Sequence, residues 1–197
     1  MILFLYLYIE IKMKQKKSKI RTTHKVCYLE ELSKEEKDRS NQVCNLGFPK
    51  GYDHDYIKSM SNPIVSILYH SNLIIGICFA NIERKAVMKP LSSEYLYLHT
   101  ICIDPQFRGN GLCYHLVKNL LTAKVIIGSK VKHLGKSMNM YLHVCTSTDK
   151  PNIPAIKCYQ KNGFNLIDMV HVEREDGPHT VMIRKKGPTK KTKTKKK

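Results

Sequence analysis

Between Ile101 and Cys113 the chain reads Ile-Cys-Ile-Asp-Pro-Gln-Phe-Arg-Gly-Asn-Gly-Leu-Cys, a strand-like apolar run, a turn marked by Pro105, and two glycines leading into a helix. This order is that of an anion-binding loop. Gly109 and Gly111 let the backbone turn sharply and approach a ligand closely, so that successive N–H groups and the positive end of the next helix can point at phosphate oxygens. Arg108 adds a charge at the same place. A Gly-x-Gly pair alone marks a turn more often than a phosphate site, so its weight depends on a second motif further along the chain.

The rest of the chain alternates short strand-like runs with helical ones. Val26 to Leu29 reads as a strand, and Ser33-Lys-Glu-Glu36 has the capping-box pattern that opens a helix. Phe48-Pro-Lys-Gly-Tyr52 is a loop before a short helix near Asp55 to Met60. Ile64 to Tyr69 and Leu73 to Asn81, split by His70-Ser-Asn72, form a hairpin, and Tyr95 to Ile103 is the strand before the glycine loop. Leu112, Leu116 and Leu120 with Cys113, Val117 and Leu121 repeat at helical spacing. Met140 to Val144 is a further strand, Pro154 opens a helix closed by Asn162-Gly163, and Phe164 to Val172 with His179 to Arg184 make a last hairpin. The order is β-α-α-β-β-β-α-β-α-β-β, a single α/β domain.

The net charge of +18 would suggest a nucleic-acid binder, but it sits at the ends. Residues 12–25 hold seven Lys/Arg and residues 184–197 hold nine, with no acid in either, which leaves the remainder close to neutral. We therefore divide the chain into an apolar then basic extension, 1–22, a folded domain, 23–186, and a Lys-rich disordered tail, 187–197. The tail is either merely solvated or a contact for ribosomal or other nucleic acid, or for nuclear import. The apolar run Met1 to Ile11 is too short to span a bilayer, its charges come after it as they do not in a signal peptide, and Met13 is an alternative start. Seven cysteines with no Cys-x-x-Cys pair suggest neither a disulfide framework nor a zinc site, and the histidines lack a short ligand spacing. The expected location is the cytoplasm, with the nucleus as the alternative.

Arg108-Gly-Asn-Gly111 after one strand and Asn152-x-x-Ala155-x-x-x-Tyr159-x-Lys-x-Gly163-Phe164 after the next resemble the two hallmark segments of the GNAT superfamily of N-acetyltransferases, over roughly residues 23–186. The resemblance implies a mixed, mostly antiparallel sheet of about seven strands flanked by about four helices, with an acetyl-CoA cleft where strands 4 and 5 splay apart. It implies acetyl-CoA as co-substrate and no metal. Ile101, Cys102 and Ile103 would offer backbone groups to the pantetheine arm, and Arg108, Gly109, Asn110, Gly111, Leu112 and Cys113 would hold the pyrophosphate. Cys113 departs from the Gly or Ala usual there, though it is small enough for close approach. Asn152, Ala155 and Tyr159 fall on one stripe of a helix.

Acyl transfer to an amine expels a thiolate, so a general acid near the sulfur is useful, and Tyr159 matches the tyrosine that serves so in many GNAT enzymes. The alternative for Tyr159 is a ring that only anchors its helix or positions CoA. The acceptor amine must lose a proton before it attacks. In Tyr141-Leu-His-Val-Cys145, if Leu142 and Val144 face the core, His143 faces the site and is the leading base. His99 and Tyr97, on the preceding strand, are reserves.

Phe48-Pro49-Lys50-Gly51-Tyr52 resembles the Phe-Pro-x-x-Tyr segment of NatE- and NatF-type N-terminal acetyltransferases, which lines the pocket for the first acceptor residue, commonly Met. Phe48, Pro49, Lys50 and Tyr52 are thus the candidate acceptor-binding residues, Lys50 replacing an apolar residue. The closing hairpin lacks the paired tyrosines usual in that branch. The resemblance implies a protein N-terminal α-amine as acceptor. Small amines, polyamines or lysine side chains, drawn by Glu173, Glu175 and Asp176, are the enzymatic alternative, and a nonenzymatic CoA- or nucleic-acid-binding module is the other.

Overall fold

The computed structural model describes residues 20–48, 57, 60, 63–83, 94–127, 129–145, 151–174 and 177–186. The elements run β1 (Thr23–Tyr28), α1 (Lys34–Gly47), β2 (Ile64–His70), β3 (Leu73–Glu83), β4 (Tyr95–Ile103), α2 (Leu112–Thr122), β5 (Lys124–Ile127), β6 (Lys130–His133), α3 (Leu134–Ser137), β7 (Asn139–Cys145), α4 (Ile153–Lys161), β8 (Asn165–Arg174) and β9 (Gly177–Arg184). Seven strands form one sheet in the order β1-β2-β3-β4-β7-β9-β8, while β5 and β6 form a separate two-stranded ribbon. In the large sheet only β4–β7 is parallel among the described pairs.

Local chemistry explains most boundaries. Ser33 caps α1 by accepting from the Glu36 N–H while the Glu36 carboxylate accepts from the Ser33 N–H, the reciprocal box read from the sequence. Ser71 and Asn72 take positive φ (48° and 65°), the geometry of a tight hairpin turn, so β2 and β3 pair directly. Asn152 caps α4 by accepting from the Ala155 N–H, and Gly163 at φ 82° ends it.

The sheet alternates between two cores. Cys78, Ala80, Leu96, Leu98, Met140, Leu142, Val144 and Met182 pack with Leu112, Leu116, Val117 and Leu120 of α2. Cys27, Val65, Ile67, Ile77, Phe79 and Cys102 face the other way, against Val43 and Cys44 of α1. On that second face a smaller cluster of Tyr95, Tyr97, Tyr141 and Val181 continues toward β9. Each large apolar side chain fully buried in this way contributes about 1.5–3 kcal/mol. At the far end, Arg184 donates from Nε to the Asn162 carbonyl and from Nη1 to the Gly135 carbonyl, tying the end of α4 to α3.

Three expectations need correction. The segment 124–137 carries β5, β6 and the single turn α3, which have no counterpart in the element order expected from the sequence; strands of four residues leave no periodic signal. The cysteines do pair: Cys44 bonds Cys102, joining α1 to β4, and Cys113 bonds Cys158, joining α2 to α4. Partners 58 and 45 residues apart give no local motif, and an odd total leaves room for free thiols such as Cys27 and Cys78. Strand ends also move, β1 beginning at Thr23 and β9 at Gly177. Pro49, Lys50 and Tyr52, residues 1–19 and the tail 187–197 lie outside the described residues. Of the short helix near Asp55 to Met60, Ile57 is helical and buried.

Candidate active site

The site forms where the sheet divides. The β4–β7 ladder runs from Tyr95–Asn139 to Leu98–Leu142, and no further pairing joins these strands among the described residues. β4 has just shifted register against β3: Ala80 pairs with Leu98 but Phe79 with Thr100, so His99 is an extra, bulged residue. Ahead lie Ile101, Cys102 and Ile103, and then the glycine loop.

That loop is held by its own side chains. Asp104 is buried; its Oδ2 accepts from Nη2 of Arg39 at 2.6 Å, and its Oδ1 accepts from the Gln106 N–H. Arg39 also donates from Nε to the Ile74 carbonyl, so it fastens α1 both to the start of β3 and to the turn after β4. Asn110 donates to the carbonyls of Phe107 and Arg108, bracing the turn from within. Gly109 and Gly111 take φ of 77° and 72°, the left-handed region that glycine enters without strain. A Cβ on Gly111 would meet nothing within 4 Å, so there is room before the first turn of α2, where Leu112 and Cys113 stand. The first N–H groups of a helix have no intrahelical acceptor and are ready for an anion. Arg108 is turned elsewhere, its Nε donating to the Ile103 carbonyl and its Nη2 lying 3.7 Å from where a Gly47 Cβ would be. Its charge therefore lies at the C-terminal end of α1, which favours a cation.

The candidate acid and base come from both sides of the division. Tyr159 sits one residue after the disulfide-bonded Cys158 and is half-buried, its ring 6.0 Å from that of Phe164. Burial pushes its phenol well above the usual tyrosine range, and the Cys78 thiol and Tyr97 phenol add to the rise. Tyr159 is thus held protonated at any working pH. Burial likewise pushes the Cys78 thiol up to about 12. Leu142 and Val144 face the α2 core as expected, which turns His143 to the opposite face. Tyr97, Tyr141 and His99 stand there too. The Tyr97 ring meets that of His143 edge-on at 5.5 Å, that of His99 edge-on at 4.1 Å, and stacks on Tyr141 at 4.4 Å. The bulge keeps the His99 imidazole against Tyr97, and the parallel pairing of β4 with β7 brings His143 to the same ring, so the leading base and its two reserves form one group.

Glu83 was not expected here. It ends β3 opposite Tyr95 and accepts from the phenols of Tyr95 and Tyr141. The alternation Tyr95-x-Tyr97 and Tyr141-x-His143 already puts these rings on one face, but nothing in the sequence aligns Glu83 or the bulged His99 with them. Of the acceptor segment, Phe48 is described: its N–H donates to the Cys44 carbonyl at the end of α1, and the residue is 38 % exposed. No group of three or more metal-ligating side chains converges among the described residues.

Residues 24–164 match the acetyltransferase (GNAT) family, and the chain belongs to it. No curated protein matches it. Among solved structures it is similar to Arabidopsis thaliana Naa50 in complex with the bisubstrate analogue CoA-Ac-MVNAL, at 19 % identity and a TM-score of 0.57 over 83 % of this chain and 97 % of that one. It is also similar to the ribosomal-protein-S18-alanine N-acetyltransferase of Escherichia coli, at 15 % identity and a TM-score of 0.59 over 85 % and 97 %. Arabidopsis thaliana NAA60 in complex with acetyl-CoA matches at 16 % identity and a TM-score of 0.58 over 82 % and 99 %. The fold is the GNAT fold and the chain is an acetyltransferase of that family.

Proposed function

We propose that this acetyltransferase moves the acetyl group of acetyl-CoA to the α-amine of a protein N-terminus, preferentially one that begins with Met. The observation that carries the reading is the meeting of Tyr97 and His143 where β4 and β7 part, with Tyr159 reaching the same region from α4. The similarity in fold to Naa50 with its bisubstrate analogue and to NAA60 supports it. The backbone of the glycine loop and the first turn of α2 would hold the pyrophosphate, and Ile101 to Ile103 the pantetheine arm. When bound, acetyl-CoA supplies the activated acetyl group. His143 takes the proton of the acceptor ammonium at an imidazole nitrogen, with the Tyr97 phenol beside it to bind the amine or relay that proton. Tyr159, held neutral, keeps its proton until it is given to the departing sulfur. Phe48 borders the pocket for the first acceptor side chain, and the Lys-rich tail tethers the enzyme to nucleic acid such as that of the ribosome.

The test is incubation with labelled acetyl-CoA and a library of free-N-terminal peptides, with blocked-N-terminal lysine peptides and spermidine as competitors. Preferential labelling of Met-starting peptides, with KM raised by Phe48→Ala for peptide and not for acetyl-CoA, is the expected result. Faster transfer to spermidine or to internal lysines would replace the N-terminal acceptor with those amines.

A further inference from the structure

Glu83 gathers three partners. Its Oε2 lies 3.3 Å from the phenol oxygen of Tyr95 and 3.3 Å from that of Tyr141, both donating to it. Its Oε1 lies 4.0 Å from Nε2 of His99, whose side chain is only 4 % exposed. The partners come from β4 and β7, the two strands that separate at the site. A half-buried carboxylate costs folding free energy unless hydrogen bonds compensate it, and replacing such groups by well-packed apolar residues is often neutral or stabilising.

Its partners flank the ring that the proposed reaction needs. Tyr97 is stacked against Tyr141 on one side and meets His99 edge-on on another, with centroids 4.4 Å and 4.1 Å away. Tyr141 donates to the same carboxylate, His99 borders it at 4.0 Å as an ion pair when its imidazole is protonated, and His143 meets the same ring 5.5 Å away. Burial, and after it the Glu83 charge, keep the Tyr141 phenol protonated, so that contact persists at any working pH. We infer that Glu83 is a positioning residue for the acetyl transfer, clamping Tyr141 and His99 so that Tyr97 is held in place against His143. The inference rests on the reading of Tyr97 and His143 as the acceptor-side pair.

Glu83→Gln in the full chain keeps the shape of the side chain and removes the charge. Displacements of about 1 Å around a reacting centre cost up to about 10²-fold, so kcat should fall by about tenfold or more, while KM for acetyl-CoA stays within about twofold. In a Tyr97→Phe background the same substitution should lower kcat little further, because both act through one ring. A tyrosinate absorbance titration of the enzyme alone should show phenol ionisation beginning earlier in Glu83→Gln, and the difference should shrink in Tyr141→Phe. If Glu83→Gln fails to fold, Tyr141→Phe with His99→Asn reads the same clamp from its other end and should give the same kcat loss. Unchanged kcat, or losses that simply multiply with those of Tyr97→Phe, would overturn the inference. The kinetic comparison is read on whichever amine the wild type acetylates and the titration needs no acceptor, so a wrong acceptor and a wrong role for Glu83 give different results.

Discussion

Across the parallel pair β4–β7, the ring of Tyr97 meets that of His143 edge-on with centroids 5.5 Å apart, although 46 positions separate the two residues in the chain. His143→Ala removes the proposed base and should lower kcat by about 10²-fold. The loss of rate on the acidic side of the wild-type pH profile, where the imidazole takes up a proton, should vanish in that variant. A limb that persists would move the base to His99 or to a water.

Buried phenols contribute to the alkaline behaviour, Tyr159 and Tyr141 among them. Tyr159 and Tyr141 have folded-state pKa values raised above the ordinary tyrosine value, in both cases first by burial. A raised folded-state value means that the stability these groups contribute is complete below an unfolded pKa of about 10 and is lost as pH rises beyond it. Denaturant unfolding should accordingly show a steep fall in stability above about pH 10 that becomes shallower in Tyr141→Phe. Tyr159→Phe should be shallower too and, in addition, lose about 10²-fold in kcat at neutral pH if its role is proton transfer.

The disulfide Cys113–Cys158 bridges the helix that opens at the glycine loop and the helix that carries Tyr159. Closing a loop of 45 residues is worth about 2–4 kcal/mol. Cys113→Ser should lower the thermal midpoint by about 5–10 °C and weaken acetyl-CoA binding measured by calorimetry. Mass spectrometry of the unreduced, alkylated wild type should recover the linked pairs 44–102 and 113–158, and recovery of these cysteines as free thiols would remove the basis of the prediction.

Two glycines separate folding from binding. A Cβ on Gly135 would lie 2.5 Å from the Leu121 carbonyl oxygen and 3.2 Å from its Cα, and backbone cannot yield as a side chain can. Gly135→Ala should cost about 2 kcal/mol in denaturant unfolding while leaving acetyl-CoA affinity unchanged in the folded fraction. Gly111 has φ of +72° and open space around it, so Gly111→Ala should cost about 1 kcal/mol by backbone strain alone. Gly111→Val should weaken acetyl-CoA by at least about tenfold, or about 1.4 kcal/mol, by filling the room before α2. Unchanged affinity in a folded Gly111→Val protein would refute the loop assignment.

How much of the molecule is legible in its sequence depends on how far along the chain each signal reaches. The Ser33–Glu36 box, the Ser71-Asn72 turn and the 3.6-residue stripe of α2 are set by residues within a few positions of one another, and the sequence displays them. His143 is placed by simple alternation against Leu142 and Val144. His99 is not, because its direction depends on a register shift that only pairing with β3 creates. Glu83 and the two disulfides are contacts between elements, set by which strand lies beside which. Arg108 suits an anion on paper, yet the Ile103 carbonyl and the C-terminal end of α1 compete for it.

The brief β4–β7 ladder has a mechanical consequence. Four residue pairs join a half made of β1, β2, β3 and β4 to a half made of β7, β9 and β8, and beyond Leu98 and Leu142 the two halves diverge. Anything lying in that gap with amide groups spaced like a strand would act as a splint, sharing hydrogen bonds with both halves where the protein's own ladder stops. Its free energy of binding would then be added to the cohesion of the whole sheet, so resistance to unfolding should climb with the logarithm of ligand concentration once the site is mostly filled. For such a molecule, occupancy is a measure of rigidity as well as of readiness to react.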